Sequence, residues 1–315
     1  VNIIDAHCDA LYKMAMRKHA RFLDDENYFD VTYQGLKQAN ISLQFFAIYL
    51  SGKSSPPTFD DIIEHYDLFY RNILSYSDVM LVKNRKDLKQ AVRDGKLGAL
   101  LSLEGVDALG GNFAYLRAIY EMGIRAAGVT WNDANWAADG VMEPRQGGLT
   151  AKGKQLVREC NRLGIILDVS HLSVRGFWDL AEICTRPFIA SHSNAYSVCP
   201  HPRNLNDEQI REIIRKGGMI GITFVPQFVS AAENPTISHL LQHIEYICSL
   251  GGSEHLGFGS DFDGTDKHME GLAKVRHYEN LANELLKRYN AGLVNNWLYK
   301  NWYVFLENQL PDDEP

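Results

Sequence analysis

Short apolar runs alternate with amphipathic segments from one end of the chain to the other. The runs fall at residues 2–6, 42–50, 97–104, 124–130, 164–170, 187–191, 218–224 and 256–261, and each reads as a strand. Between them the apolar positions take helical spacing. Ile62, Tyr66, Phe69 and Ile73 recur along residues 60–74, and residues 206–216 open on Asn206, a side chain suited to cap a helix. Strands alternating with helices predict βα units around a parallel sheet. Eight strands match a (β/α)8 TIM-type barrel, although a doubly wound open sheet would present similar runs. From Val275 onward the pattern predicts two additional C-terminal helices. The second is rich in Trp297, Trp302, Tyr303 and Phe305, aromatics expected to pack against the barrel or against a second copy of the chain in a homodimer.

Length agrees with that architecture. The chain has 315 residues, 45% of them hydrophobic, and a barrel of this type needs about 250, so one domain over residues 1–315 is expected. No tandem repeat, low-complexity tract or linker interrupts it. The formal net charge is -7, with 39 acidic against 32 basic residues and no long basic run, which excludes the electrostatic footprint of a nucleic-acid or anionic-membrane binder. A small-molecule partner is expected instead. The five cysteines, Cys8, Cys160, Cys184, Cys199 and Cys248, are odd in number and include no C-x-x-C pair, which argues against a disulfide framework. With no leader-like segment at the start and no run of roughly 20 apolar residues, a cytoplasmic location fits best.

The polar residues are informative by where they fall. His7 and Asp9 follow the first run, Glu104 closes the third, His171 and His192 follow the fifth and sixth, and Asp261 closes the eighth. In a parallel barrel the C-terminal strand ends converge on one mouth, so residues far apart in sequence would meet there. His7 and Asp9, two apart, would point to one side if the strand continues, with Cys8 turned away as a buried thiol. The pair suits zinc, and a strand-end histidine beside a loop aspartate is the plainer alternative. Glu104 would need a partner for its charge at the end of an apolar strand, either a bridged metal pair or a helix start that it caps. Two strands ending in Ser-His, at Ser170-His171 and Ser191-His192, lie one βα repeat apart and would set two imidazoles side by side. Asp261 lies in Gly259-Ser260-Asp261-Phe262-Asp263-Gly264 and could relay a proton at a metal site or open an Asx turn. His239 and His243 share helical ligand spacing without the glutamate of a metalloprotease helix, so a solvated helix face is expected for them.

Taken together, Ile4-Asp5-Ala6-His7-Cys8-Asp9, Leu103-Glu104-Gly105, Leu167-Asp168-Val169-Ser170-His171, Ser191-His192-Ser193-Asn194-Ala195-Tyr196-Ser197-Val198-Cys199, Arg203-Asn204 and the string through Asp261 resemble the membrane (renal) dipeptidase family of amidohydrolase-like metal barrels. The resemblance implies two zinc ions per chain. His7 and Asp9 would hold one, His171 and His192 the other, and Glu104 would bridge them. It further implies Asp261 as the acid/base group, Arg203 as the anchor of the substrate's free carboxylate with Asn204 beside it, and a dipeptide as substrate, including ones with a C-terminal D-residue.

The chain departs from the family pattern in two places. Trp131, in Val129-Thr130-Trp131-Asn132, stands where mammalian members carry a histidine thought to steady the tetrahedral intermediate, and Phe228 takes the place of a family tyrosine. An indole N–H can donate a hydrogen bond but cannot become a cation, so Trp131 is expected to shape the pocket. Two other functions remain open on the sequence: a barrel hydrolase acting on N-acyl amino acids, lactones or cyclic amides, and a noncatalytic metal-binding protein.

Overall fold

The computed structural model describes residues 1–17, 20–52 and 55–312. Its strands are β1 (Ile3–Asp5), β2 (Ile41–Tyr49), β3 (Val79–Leu81), β4 (Leu97–Glu104), β5 (Ile124–Gly128), β6 (Ile166–Asp168), β7 (Ile189–Ala190), β8 (Met219–Ile222) and β9 (Leu256–Phe258). All pair in parallel in the order β2-β1-β9-β8-β7-β6-β5-β4, and a β2–β4 ladder from Leu43↔Gly98 to Tyr49↔Glu104 closes the ring. The result is the expected eight-stranded barrel. β3 was not legible as a strand. It is three residues long and lies on the same edge of β4 as β5, below it, pairing Val79↔Leu97 through Leu81↔Ala99 while β5 pairs from Leu101 upward.

β4 keeps the bounds its apolar run predicts, whereas β6 and β7 shrink to short pieces at the rim. There the backbone leaves the ladder for side chains: Asp168 Oδ1 accepts the N–H of Ser170 at 2.9 Å and of Ser191 at 3.0 Å. The helices follow local signals. Phe59–Asn72 starts in a capping box between Thr58 and Asp61, and Asp207–Arg215 is capped by Asn206, whose side chain accepts from Gln209 N.

Ile4, Phe45, Leu100, Ala126, Ile166, Ile189 and Met219 fill one continuous core with Trp302, Phe305 and Leu306 of the C-terminal helix. That helix, Asn301–Gln309, follows Ala291–Asn295 through a π turn at Asn296–Lys300 and plugs the N-terminal end of the barrel. Trp302 lies 5.7 Å from the Phe45 ring. A Cβ on Gly257 would come within 2.3 Å of the Trp302 indole, so only glycine on β9 admits this close approach. Trp297 and Trp302, aromatics left open between barrel and partner, are buried by the chain itself.

One expectation fails. His243 is fully buried rather than on a solvated face: its Nδ1 accepts from Ala195 N at 3.1 Å and its Nε2 lies 2.8 Å from Val229 O. It shares the core side of Ile237–Ser249 with Leu240, Ile244 and Ile247, where one satisfied imidazole costs little. His239 faces the helix start, where its Nδ1 accepts from Thr236 N. All five cysteines are free, and Cys8 is buried in the core as expected. Among the described residues no helix is long and apolar enough to cross a membrane.

Candidate metal and catalytic centre

The C-terminal ends of the strands bring His7, Asp9, Glu104, His171, His192 and Asp261 to one place. Glu104 is the last residue of β4, on the inner face with Leu100 and Ser102. Its Oε1 lies 2.9 Å from His171 Nε2 and 3.6 Å from His192 Nε2, while its Oε2 lies 3.5 Å from His7 Nε2. His7 Nε2 is in turn 3.7 Å from Asp9 Oδ2 and 3.7 Å from Asp261 Oδ1. The ligating atoms of His7, Glu104 and His192 lie within 4.8 Å of one another, as do those of His7, Asp9 and Asp261.

Backbone strain accompanies this convergence. His171 and Asp261 hold φ of +68° and +64°, a left-handed conformation that costs a non-glycine residue on the order of 1–3 kcal/mol and clusters at functional sites. Gly264 is required as glycine, since a Cβ there would come within 2.3 Å of both Asp261 Oδ1 and Asp9 Oδ2.

Hydrogen bonds fix the tautomers of His192 and His171. Ser191 Oγ donates to Asp168 Oδ2, so it has only lone pairs left for His192 Nδ1 at 2.7 Å. His192 therefore carries its proton on Nδ1 and a bare lone pair on Nε2. Asn132 Oδ1, 2.7 Å from His171 Nδ1, imposes the same tautomer. The two Nε2 lone pairs then face each other at 2.9 Å, with Glu104 Oε1 equally close to the first. His7 Nε2, Asp9 Oδ1 and Glu104 Oε2 are buried with no hydrogen-bond partner. The crowded carboxylate oxygens and the bare Nε2 atoms of His171 and His192 repel one another, and cations among them supply the missing charge, so imidazole and carboxylate here fit a divalent metal.

The electrostatics of the cluster carry the same tension. Burial works against a charged His7, yet Glu104 and Asp9 hold its imidazole well above the ordinary value. Burial, with His7 close by, pushes His192 well down, and burial and Arg203 push His171 down to about 4. Burial raises Asp261 well above the usual carboxylate range; His7 pulls it back, and the carboxylates of Asp9 and Glu104 add to the rise.

A cavity of about 470 Å³ opens onto this cluster, in the range of small-ligand sites. Asp9, Glu104, His171 and Asp261 form its acidic and ligating wall, and Trp131 and Phe228 its aromatic one. Trp131 lies between Tyr49 and His171, at 5.2 and 5.9 Å between ring centroids.

Two of the candidates stand elsewhere. Asn204 does not line the cavity: its Nδ2 donates to Cys199 O and Phe228 O and its Oδ1 accepts from Asn194 N, so it braces the loop and has no group left for substrate. Arg203 is neither on the protein surface nor on the cavity wall. It is 3% exposed, donates through Nη2 to His192 O at 3.2 Å, packs 5.4 Å from the Phe228 ring, and has a buried Nε with no partner.

Tyr12, Lys13, Tyr28, Tyr49 and Gln227 also line the cavity and were not singled out from sequence. Tyr49 had a signal, lying next to the end of an apolar run, but a phenol is no obvious ligand. The supporting Asp168 and Ser191 were visible only as neighbours of the histidines, and Asn132 only as the residue after Trp131. Ser191→Ala removes the acceptor that orients His192 and should weaken metal binding by roughly 10–100-fold, measured by competition with a chelator.

The family model of the membrane dipeptidases (Peptidase family M19) matches residues 1–308. Dipeptidase aclJ of Aspergillus oryzae is 32% identical over 308 residues, 91% of this chain and 73% of that protein. Dipeptidase tcpJ of Claviceps purpurea is 31% identical over 271 residues, 82% of this chain and 64% of that protein. Among solved structures, the metallopeptidase from Rhodobacter sphaeroides liganded with a phosphinate mimic of the dipeptide L-Ala-D-Ala is 26% identical, with a TM-score of 0.89 over 98% of this chain and 99% of that one. The dipeptidase AC, a family M19 metallopeptidase, matches with a TM-score of 0.91 at 26% identity over 98% of this chain and 99% of that one. The chain therefore belongs to the membrane dipeptidase family, peptidase family M19, and is a metallo-dipeptidase.

Proposed function

We propose that this chain is a dinuclear zinc dipeptidase that cleaves free dipeptides, including those with a D-residue at the C-terminal position. The observation that carries the reading is the group of buried, unpartnered ligand atoms on His7, Asp9 and Glu104, set against the facing lone pairs of His171 and His192. His7 and Asp9 would hold one zinc, His171 and His192 the other, and Glu104 would offer one oxygen to each side. Zinc held there supplies an acidified water and polarises the scissile carbonyl. The neighbour crystallised with a phosphinate mimic of L-Ala-D-Ala supports a dipeptide of that stereochemistry.

The chain's own residues do the rest. Asp261, at the cavity wall and 3.7 Å from His7 Nε2, takes the proton of the attacking water and returns it to the leaving amine. Trp131 and Phe228 shape the pocket. Arg203, with its unpaired Nε, grips the free carboxylate of the substrate, which must enter beside the Phe228 ring to reach it.

Arg203→Ala should lower kcat/KM for Ala-Ala by about 10- to 200-fold, the scale of about 1.5–3 kcal/mol for charge-assisted hydrogen bonds, and should narrow the gap between Ala-Ala and its C-terminal amide. Steady-state rates on the acid and the amide test this. Equal rates on both by the unaltered enzyme would contradict the Arg203 anchor and favour a broader amide hydrolase acting on N-acyl amino acids or cyclic amides.

A further inference from the structure

Among the described residues that line the cavity, Lys13 is the one lysine or arginine. Its place follows from the helix that β1 feeds. Asp9 is the N-cap of Ala10–Met16, and Lys13 N donates to Asp9 O at 3.2 Å. The two side chains therefore share a helix face one turn, roughly 5.4 Å, apart. Both residues line the same cavity, Asp9 at its ligating wall. Tyr28 steadies it: the phenol donates to Lys13 O at 2.9 Å, and the ring centroid lies 5.6 Å from Nζ and 5.0 Å from the Arg17 guanidinium.

The counter-charges close to Lys13 are weak or engaged. Asp266 Oδ1 is 3.9 Å away on a fully exposed carboxylate, a pair that water and salt screen. The two oxygens of Asp263 accept the N–H groups of Asp30 and Val31. Lys13 itself is only about a quarter exposed, at 24% of its side chain, so an anion entering the cavity meets it partly shielded from solvent.

We propose that Lys13 makes the enzyme selective for dipeptides whose amino-terminal residue carries an acidic side chain. This rests on the dipeptidase reading above, in which Arg203, beside His192 and Phe228, takes the free carboxylate, while Lys13 stands one helical turn from Asp9. A glutamyl side chain on the amino-terminal residue then spans the one-turn step from the metal ligands to the ammonium.

The test is kcat/KM for Glu-Ala, Gln-Ala and Lys-Ala with the zinc-loaded enzyme and its Lys13 variants. The unaltered enzyme should favour Glu-Ala over its isostere Gln-Ala by about tenfold, the scale of one charge-assisted contact at a part-exposed site. Lys13→Arg should keep that ratio, Lys13→Met should bring it to about one, and Lys13→Glu should turn the preference toward Lys-Ala. Equal rates on Glu-Ala and Gln-Ala, or a preference that survives Lys13→Met, would overturn the assignment and leave the dipeptidase reading standing. Failure to hydrolyse any of the three would overturn both.

Discussion

Replacing Glu104 by alanine should nearly abolish turnover, lowering kcat/KM by about 10³-fold or more, because the several kcal/mol that a metal centre contributes to the transition state would go with it. Glu104 is the side chain that both halves of the cluster share. One oxygen stands 2.9 Å from His171 Nε2 and the other 3.5 Å from His7 Nε2, so no other residue can compensate for its loss. Those neighbours hold the carboxylate well below its ordinary range despite burial, which keeps it anionic and able to ligate. Glu104→Gln retains the shape and removes the charge, and should fall between the two. Circular dichroism of each variant separates a lost metal site from a lost fold.

Asp261→Asn should lower kcat by about 10²–10⁴-fold while most of the metal stays, the usual scale of general acid/base assistance. The substitution is a clean one for this position. Asparagine tolerates the left-handed backbone as aspartate does, so the φ of +64° need not change, while the group that accepts and returns a proton is gone. Steady-state kinetics with metal analysis on the same sample reads both quantities. Full activity would remove Asp261 from the mechanism. Loss of metal in step with activity would make it a ligand, a role its nearness to His7 and Asp9 allows.

Much of this centre was legible because a parallel barrel turns strand order into spatial convergence. His7, Asp9, Glu104, His171, His192 and Asp261 each close or follow an apolar run, and the eight runs were countable. What periodicity could not show is how a loop folds back after the strand ends. Arg203 and Asn204 were adjacent in sequence and read as one substrate-facing pair, yet Asn204 is engaged by three backbone groups and Arg203 lies behind Phe228. Lys13 carried no signal in the sequence, since a lysine on a short helix is ordinarily solvated. It enters the site because the helix starts at Asp9 itself. His243 was misplaced for the converse reason: helical spacing locates a face, and only the packed neighbours Ala195 and Val229 reveal that the face is internal. β3 escaped notice because three residues leave no period to read.

The most direct test of the central claim is elemental analysis of the purified, active protein, in parallel with dipeptide hydrolysis before and after chelation. About two zinc ions per chain are expected, at most one in Glu104→Ala, with activity that disappears with the metal and returns when zinc is restored. A folded protein that hydrolyses dipeptides while holding no metal would contradict it.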